Sequence, residues 1–378
     1  RAAWEALAAA WAQPEAPRRG PEPPPAGGRR SGRKAPGATI APPMLALLLD
    51  GTPRLVTDHP IPARRPGEAL IAVRVAGVCD TDLGLVRGYM GYRGVLGHEF
   101  VGTVTACDDD AWVGRRVVGD INAGCGACEE CRLRGGHHCA RRTVLGIAGR
   151  DGALAEALVL PTRGLCEVPD AVSDDAAVFA EPLAAALHVA DELAGARARA
   201  GGARGVVVLG DGKLGLLIAL ALTALGEAVT LVGRHEAKLA IARARGARAL
   251  LEADAAGLDR SPVVVEATGT AAGLGRALAL TAPRGTLELK TTVPEPPTID
   301  TSRIVVDEVR VVGSRCGDMA RAVEALARGE VDPTPLIAAR YPLTEAALAL
   351  EHAGRRGVLK VLVDVGGAWR DRPPSLRP

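Results

Sequence analysis

Apolar residues are spaced differently in the two halves of the chain. From Met44 to about Ser173 they fall in short β-rich runs, such as Ala69–Val75, Gly102–Ala106 and Arg116–Val118, separated by Gly and Pro turns. That pattern predicts a compact, mainly β unit. From about Phe179 to Arg315 strand-length runs alternate with Ala/Leu-rich helical stretches: Val206–Leu209, Leu214–Leu225, Val229–Val232, Val263–Glu266 and Thr286–Leu289. Strand–helix alternation predicts βαβ units around a parallel sheet whose strands are buried on both faces. A helix over Ala320–Ala327 and a strand over Val358–Val363 follow.

Residues 1–40 fit neither pattern. Their Ala-rich opening runs into Pro, Gly and Arg between Pro21 and Pro36, too little apolar surface to offset the entropy of ordering, so a disordered tail over 1–43 is expected. A second tail is expected over 367–378. An organelle-targeting role for the first is disfavoured by Glu5, Glu15, Glu22 and the dense prolines.

Composition narrows the class. A chain of 378 residues suggests two domains. Aromatics make up only 2%, so the core is built from Ala, Val and Leu. The formal charge is +2, and residues 1–40 hold seven cationic side chains against three Glu, which leaves the body slightly acidic. A nucleic-acid surface is therefore not expected. The longest apolar stretch, Leu214–Leu225, is too short for the ~20 residues that span a bilayer, and reads as a buried helix. Eight cysteines, several of them clustered, suggest metal ligation in a reducing, cytoplasmic setting rather than disulfides.

The cluster is Cys125, Cys128, Cys131 and Cys139, spaced C-x2-C-x2-C-x7-C among Gly124, Gly126 and Gly135. Four thiolates on a curling Gly-rich loop suit a closed tetrahedral zinc site that holds a lobe; an iron–sulfur site is the competing use. His137 and His138 lie within the loop and read as solvated neighbours, while Cys107, Cys166 and Cys316 read as small core residues.

A second motif lies where Val206–Leu209 gives way to Gly210-Asp211-Gly212-Lys213-Leu214-Gly215. Between a strand and a helix, GxGxxG is the fingerprint of a dinucleotide site: one glycine for the turn, one for approach of the pyrophosphate, one for helix packing. The next strand ends at Gly233-Arg234-His235, where an NAD-selective protein places an acid against the ribose 2′-hydroxyl. Arg234 there favours NADP, while Glu236 keeps NAD open. Thr268, after the strand ending at Glu266, is expected to line the cofactor cleft.

Cys79, in Gly77-Val78-Cys79-Asp80-Thr81-Asp82, and His98, in Gly97-His98-Glu99-Phe100, are weak signals singly. With a later carboxylate they could give three ligands and an open position, as a catalytic zinc requires. Taken with the four-cysteine loop and the glycine fingerprint, these segments resemble the zinc-containing medium-chain dehydrogenase/reductase family over about residues 44–366. The resemblance implies an α/β chain with a GroES-like catalytic domain (44–175), a Rossmann domain (176–315) and a return to the first domain (316–366).

The resemblance also implies two zinc ions per chain. Cys79, His98 and Glu181 of Glu181-Pro182-Leu183 would hold the catalytic one, with Glu99 as an exchangeable or supporting ligand. Asp82 would orient the imidazole, and Thr81 would take the substrate proton. The Glu-Pro-Leu motif points to the sorbitol- and glucose-dehydrogenase branch, although the same residues also suit a helix N-terminal turn. Gly84 stands where several members carry a relay histidine. A small alcohol, polyol or sugar substrate, a homodimer or homotetramer, and no nucleic-acid or membrane partner are further expectations. The rivals are a simple alcohol or threonine-type dehydrogenase using NAD and a non-catalytic nucleotide-binding relative with structural zinc alone.

Overall fold

The structure, a computed structural model, describes residues 43–199, 202, 204–292 and 297–366. Both expected tails lie outside the described residues except Pro43, which opens the strand Pro43–Asp50.

The chain first builds a β-rich unit around a seven-stranded sheet. Its order is Leu165–Glu167, Arg116–Gly119, Glu99–Ala106, Glu68–Val78, Lys360–Asp364, Ile337–Pro342, with Ala157–Pro161 also paired to Glu68–Val78. Glu68–Val78 is the hub of this sheet, since its backbone serves Glu99–Ala106, Ala157–Pro161 and Lys360–Asp364. A three-stranded sheet of Pro43–Asp50, Thr52–Pro60 and Gly94–Val95 covers the β unit. Leu47, Ile71, Leu96, Leu154, Leu158 and Val361, all fully buried, lie in its main core. The strand Lys360–Asp364 closes the sheet from the far end of the chain by pairing antiparallel with Val75 to Val78.

The second unit is a six-stranded sheet in the order Arg248–Leu251, Val229–Gly233, Val206–Leu209, Ser261–Glu266, Thr281–Leu289, Arg310–Gly313. All neighbours run parallel. Numbered within this unit the order is 3-2-1-4-5-6, the doubly wound Rossmann arrangement, whose direction of winding reverses beside the first strand. Val206–Leu209 and Ser261–Glu266 are buried at every position, as strands flanked by helices on both faces must be. The helix Lys213–Ala224 buries every residue from Gly215 to Leu222, which explains the unbroken apolar run in the sequence. The fold is thus α/β, GroES-like plus Rossmann. Among the described residues no helix is long and apolar enough to cross a membrane.

Candidate active site and metal centres

A cleft of about 2450 Å³ runs between the two units. Cys79, His98 and Glu99 line it from the β unit, and Gly210, Gly212, Lys213, Arg234 and Thr268 from the parallel sheet. The ligand atoms of Cys79, His98 and Glu99 all lie within 4.8 Å of one another.

The local fold produces that convergence. Cys79 follows the hub strand and caps the helix Asp80–Val86. Asp82, wholly buried, accepts from Cys79 N at 2.8 Å and from Gly97 N at 3.1 Å, and its Oδ1 lies 3.3 Å from His98 Nδ1. One carboxylate therefore pins both segments and sets the direction of the imidazole. Burial alone would lower the His98 pKa, but Asp82 and Cys79 outweigh it and hold the ring well above its ordinary value. Burial pushes Asp82 up, and His98 with the two backbone donors more than reverses this. Thr81 lines the cleft with its Oγ1 3.7 Å from Cys79 Sγ, and Gly84 lines it too.

Glu181 also lines this cleft, in the first turn of the helix Ala180–Leu187, so the helix-start reading of its motif holds as well. It stands outside the tight group of three. Burial lifts its pKa to about 7, with His98 opposing and Glu99 adding to the rise. The tight carboxylate is instead Glu99, only 1% exposed, whose Oε1 is buried without a partner. Its Oε2 is bonded to Lys360 Nζ, which lies 5.7 Å from the Phe179 ring centroid. Sequence reasoning missed Lys360. The signal was present as one cation inside the apolar run Val358–Val363.

These residues fit a zinc ion by their donor chemistry: a thiol, an imidazole held from behind, and a buried carboxylate oxygen that is otherwise unsatisfied. The second set fits still more closely. The strands Asn122–Ala123 and Thr143–Leu145 pair antiparallel and clamp the base of the cysteine loop. Sγ–Sγ distances are 3.5 Å for Cys128–Cys131, 3.7 Å for Cys128–Cys139 and 3.9 Å for Cys125–Cys131. A tetrahedron of about 2.3 Å zinc–sulfur bonds has edges of about 3.8 Å. Gly124 is required here, because a Cβ would sit 2.8 Å from Cys131 Sγ. Backbone N–H groups of Ala127 and Cys128 draw the Cys125 thiol down to about 5, and Arg141 Nη2 donates to its sulfur at 3.2 Å. His137 is not a solvated neighbour: its Nε2 meets Asp120 Oδ2 at 2.6 Å.

At the nucleotide end, Gly210 has φ 115° and a Cβ there would meet Ala267 O at 2.5 Å. Gly212 is open on the cleft side, as close approach of a phosphate needs, and a Cβ on Gly215 would overlap Gly210 O. Leu214 follows Lys213 at the helix start, and Lys213 Nζ reaches across to Asp80 Oδ1 at 2.6 Å. Thr268 N donates to Glu266 Oε1 at 2.7 Å, which fixes it at the cleft wall. Arg234 Nε donates to Glu252 Oε2 at 2.6 Å. The unforeseen residue is Asp211. Its Oδ2 accepts from Arg234 N and His235 N, both at 2.7 Å, and lies 2.9 Å from His235 Nδ1. Gly233 makes that possible, since a Cβ there would meet Asp211 Cβ at 2.5 Å.

A substrate cleft with a closed thiolate site, a second open donor set and a Rossmann nucleotide end defines a metal-dependent dehydrogenase architecture. Residues 65–170 match the family described as alcohol dehydrogenase GroES-like domain. An L-threonine 3-dehydrogenase of Streptomyces avermitilis is 31% identical over 335 residues, covering 81% of this chain and 94% of that protein. A Sinorhizobium meliloti structure described as a zinc-binding dehydrogenase bound to NADP superposes with a TM-score of 0.74 at 30% identity, over 85% of this chain and 99% of its own. An Escherichia coli structure, described as a short chain alcohol dehydrogenase complexed with NADH, gives a TM-score of 0.76 at 26% identity over the same shares. The chain belongs to the zinc-dependent medium-chain dehydrogenase/reductase family.

Proposed function

We propose that this protein is a zinc-dependent dehydrogenase that exchanges a hydride between the carbinol carbon of a polyol, sugar or secondary alcohol and NADP. The observation that carries this reading is the convergence of Cys79, His98 and Glu99 in a cleft shared with the glycine-rich helix start. Cys79, His98 and Glu181 would hold the catalytic zinc, with Glu99 able to exchange into that set; Cys125, Cys128, Cys131 and Cys139 would hold a structural one. When bound, the catalytic ion supplies Lewis acidity that eases loss of the hydroxyl proton. Asp82 keeps His98 in one tautomer and direction. Thr81, at the cleft wall beside Cys79, receives the proton, and Gly84 beyond it has no side chain to pass it onward. Lys360 holds one oxygen of Glu99, leaving the other available.

NADP is supported by Arg234 and by Arg276, which shares Glu252 with it at 2.6 Å. NAD is the second reading, favoured by Asp211: its carboxylate stands beside Gly233, where the strand end lacks the acid that would meet a ribose 2′-hydroxyl. A homo-oligomer is supported by Val305 and Val306, 75% and 80% exposed, beside the outermost strand Arg310–Gly313. A substrate panel of glucose, sorbitol, threonine and 2-butanol run with NAD+ and NADP+, together with zinc analysis, tests the proposal. About two zinc ions per chain and sorbitol or glucose oxidation with NADP+ are expected. One zinc and no turnover would favour the non-catalytic relative; a preference for threonine with NAD+ would favour the threonine type.

A further inference from the structure

The cleft wall beyond Glu181 carries charge that neither zinc chemistry nor nucleotide binding uses. Arg142, just past the cysteine loop, and Arg315, just past the strand Arg310–Gly313, both line it. They come from different units of the fold, and each is bonded only to neutral partners. Arg315 Nη1 reaches Asn122 Oδ1 at 3.4 Å and its Nη2 donates to His137 O at 2.7 Å; Arg142 Nη1 donates to Cys139 O at 3.2 Å. Asn122 Nδ2 in turn donates to Cys316 Sγ at 3.3 Å, beside Arg315. Among the described residues no carboxylate lies within ion-pair distance of either guanidinium, although most arginines of the described chain have one. The nearby acids are engaged elsewhere, Asp120 by His137 and Glu130 by Arg134. Arg142 Nε is buried without a partner. Two guanidiniums without a carboxylate partner, facing one cavity, repel each other. Such a pair is tolerated at a cleft wall when an anion completes it, because a guanidinium fork matches two oxygens of a carboxylate or phosphate.

We infer that Arg142 and Arg315 form an anion subsite in the substrate cleft, so that the alcohol oxidised here carries a carboxylate or phosphate group. This rests on the dehydrogenase reading above for the word alcohol, but the subsite can be measured without turnover. A purely structural role, Arg315 acting as a strut between the two units, would give no preference for charge.

The experiment uses the zinc-loaded protein saturated with nucleotide, so that the pyrophosphate site is filled. Inorganic phosphate and acetate are titrated calorimetrically into the wild type, Arg142→Gln, Arg315→Gln and the double variant. In parallel, kcat/KM is compared for sorbitol, its terminal phosphate and its terminal acid. At least one anion is expected to bind the wild type and to bind the double variant at least about tenfold more weakly, in line with loss of charge-assisted bonds. The charged polyol of the same kind should exceed sorbitol at least about tenfold, and that ratio should fall toward one in the variants. Which charged member leads separates a phosphate substrate from a carboxylate one. Absence of anion binding in the wild type, a preference for uncharged sorbitol, or a ratio that survives in the double variant overturns the inference; the single variants decide the matter if the double variant is unfolded. Should anions bind through both arginines while no polyol turns over, the dehydrogenase reading fails and the subsite stands.

Discussion

Glu288 offers a sharp test of how this structure tolerates buried charge. It lies in the strand Thr281–Leu289, with no exposed surface, and neither carboxylate oxygen has a hydrogen bond of normal geometry. Burial lifts its pKa from 4.5 to about 7; Ser314 and Lys290 partly offset the rise, and Glu192 and Asp191 add to it. In the unfolded chain the group ionises near its ordinary value. Below that value both states hold the proton and the shift has no effect on stability. Between there and about 7 only the folded state holds it, so stability falls as pH rises, and above about 7 the full loss is reached. A displacement of this size corresponds to about 3 kcal/mol. Replacing Glu288 by Gln removes the titration while keeping the shape. The variant should therefore gain on the wild type by roughly 2–3 kcal/mol between pH 4.5 and 8. Urea unfolding of both proteins in parallel across that range measures the difference, and any fixed cost of burying the amide cancels from its slope. A stability difference that stays level with pH would refute the argument.

Two further outcomes follow from packing and ligation. Gly215→Ala forces a Cβ against Gly210 O, so the helix Lys213–Ala224 must move off the turn; a loss of about 1–3 kcal/mol, typical of overpacking, and at least tenfold weaker nucleotide binding are expected by denaturant melts and fluorescence titration. Cys128→Ser should release about one zinc per chain in metal analysis and expose the loop after Ala123 to proteolysis, because structural zinc contributes directly to folding.

Much of this architecture could be read from residue patterns, unevenly and for physical reasons. The parallel sheet was legible because strands buried on both faces are continuous apolar runs, as at Val206–Leu209, and the helix after them is apolar all round. The cysteine loop was legible because ligand spacing is local. Cys79 and His98 became legible only beside those motifs, since each alone has a common structural use. What stayed hidden depends on long-range contacts. Lys360 reaches Glu99 across 261 residues of sequence, and Arg315 reaches Asn122 across 193. Asp211 was visible inside the glycine fingerprint, but its role depends on the side chain folding back over Gly233, which the motif does not encode. Glu181 satisfies two readings at once, and only its position in the cleft separates them.

The placement of the strand Lys360–Asp364 in the interior of the first sheet has a consequence for how the protein is made. Emerging from the ribosome, residues 68–170 can form their hairpins, but the sheet edge at Val75 to Val78 must wait while the whole nucleotide-binding unit is synthesised. Until then that edge is an open strand template with Glu99 behind it and no cation to answer it. A chain released before Lys360 would thus carry every cysteine and histidine of both metal sets and still lack a closed first sheet. Assembly of the site waits for the strand Lys360–Asp364, and chains terminated before it should surface as chaperone clients or aggregates rather than as weakly active enzyme.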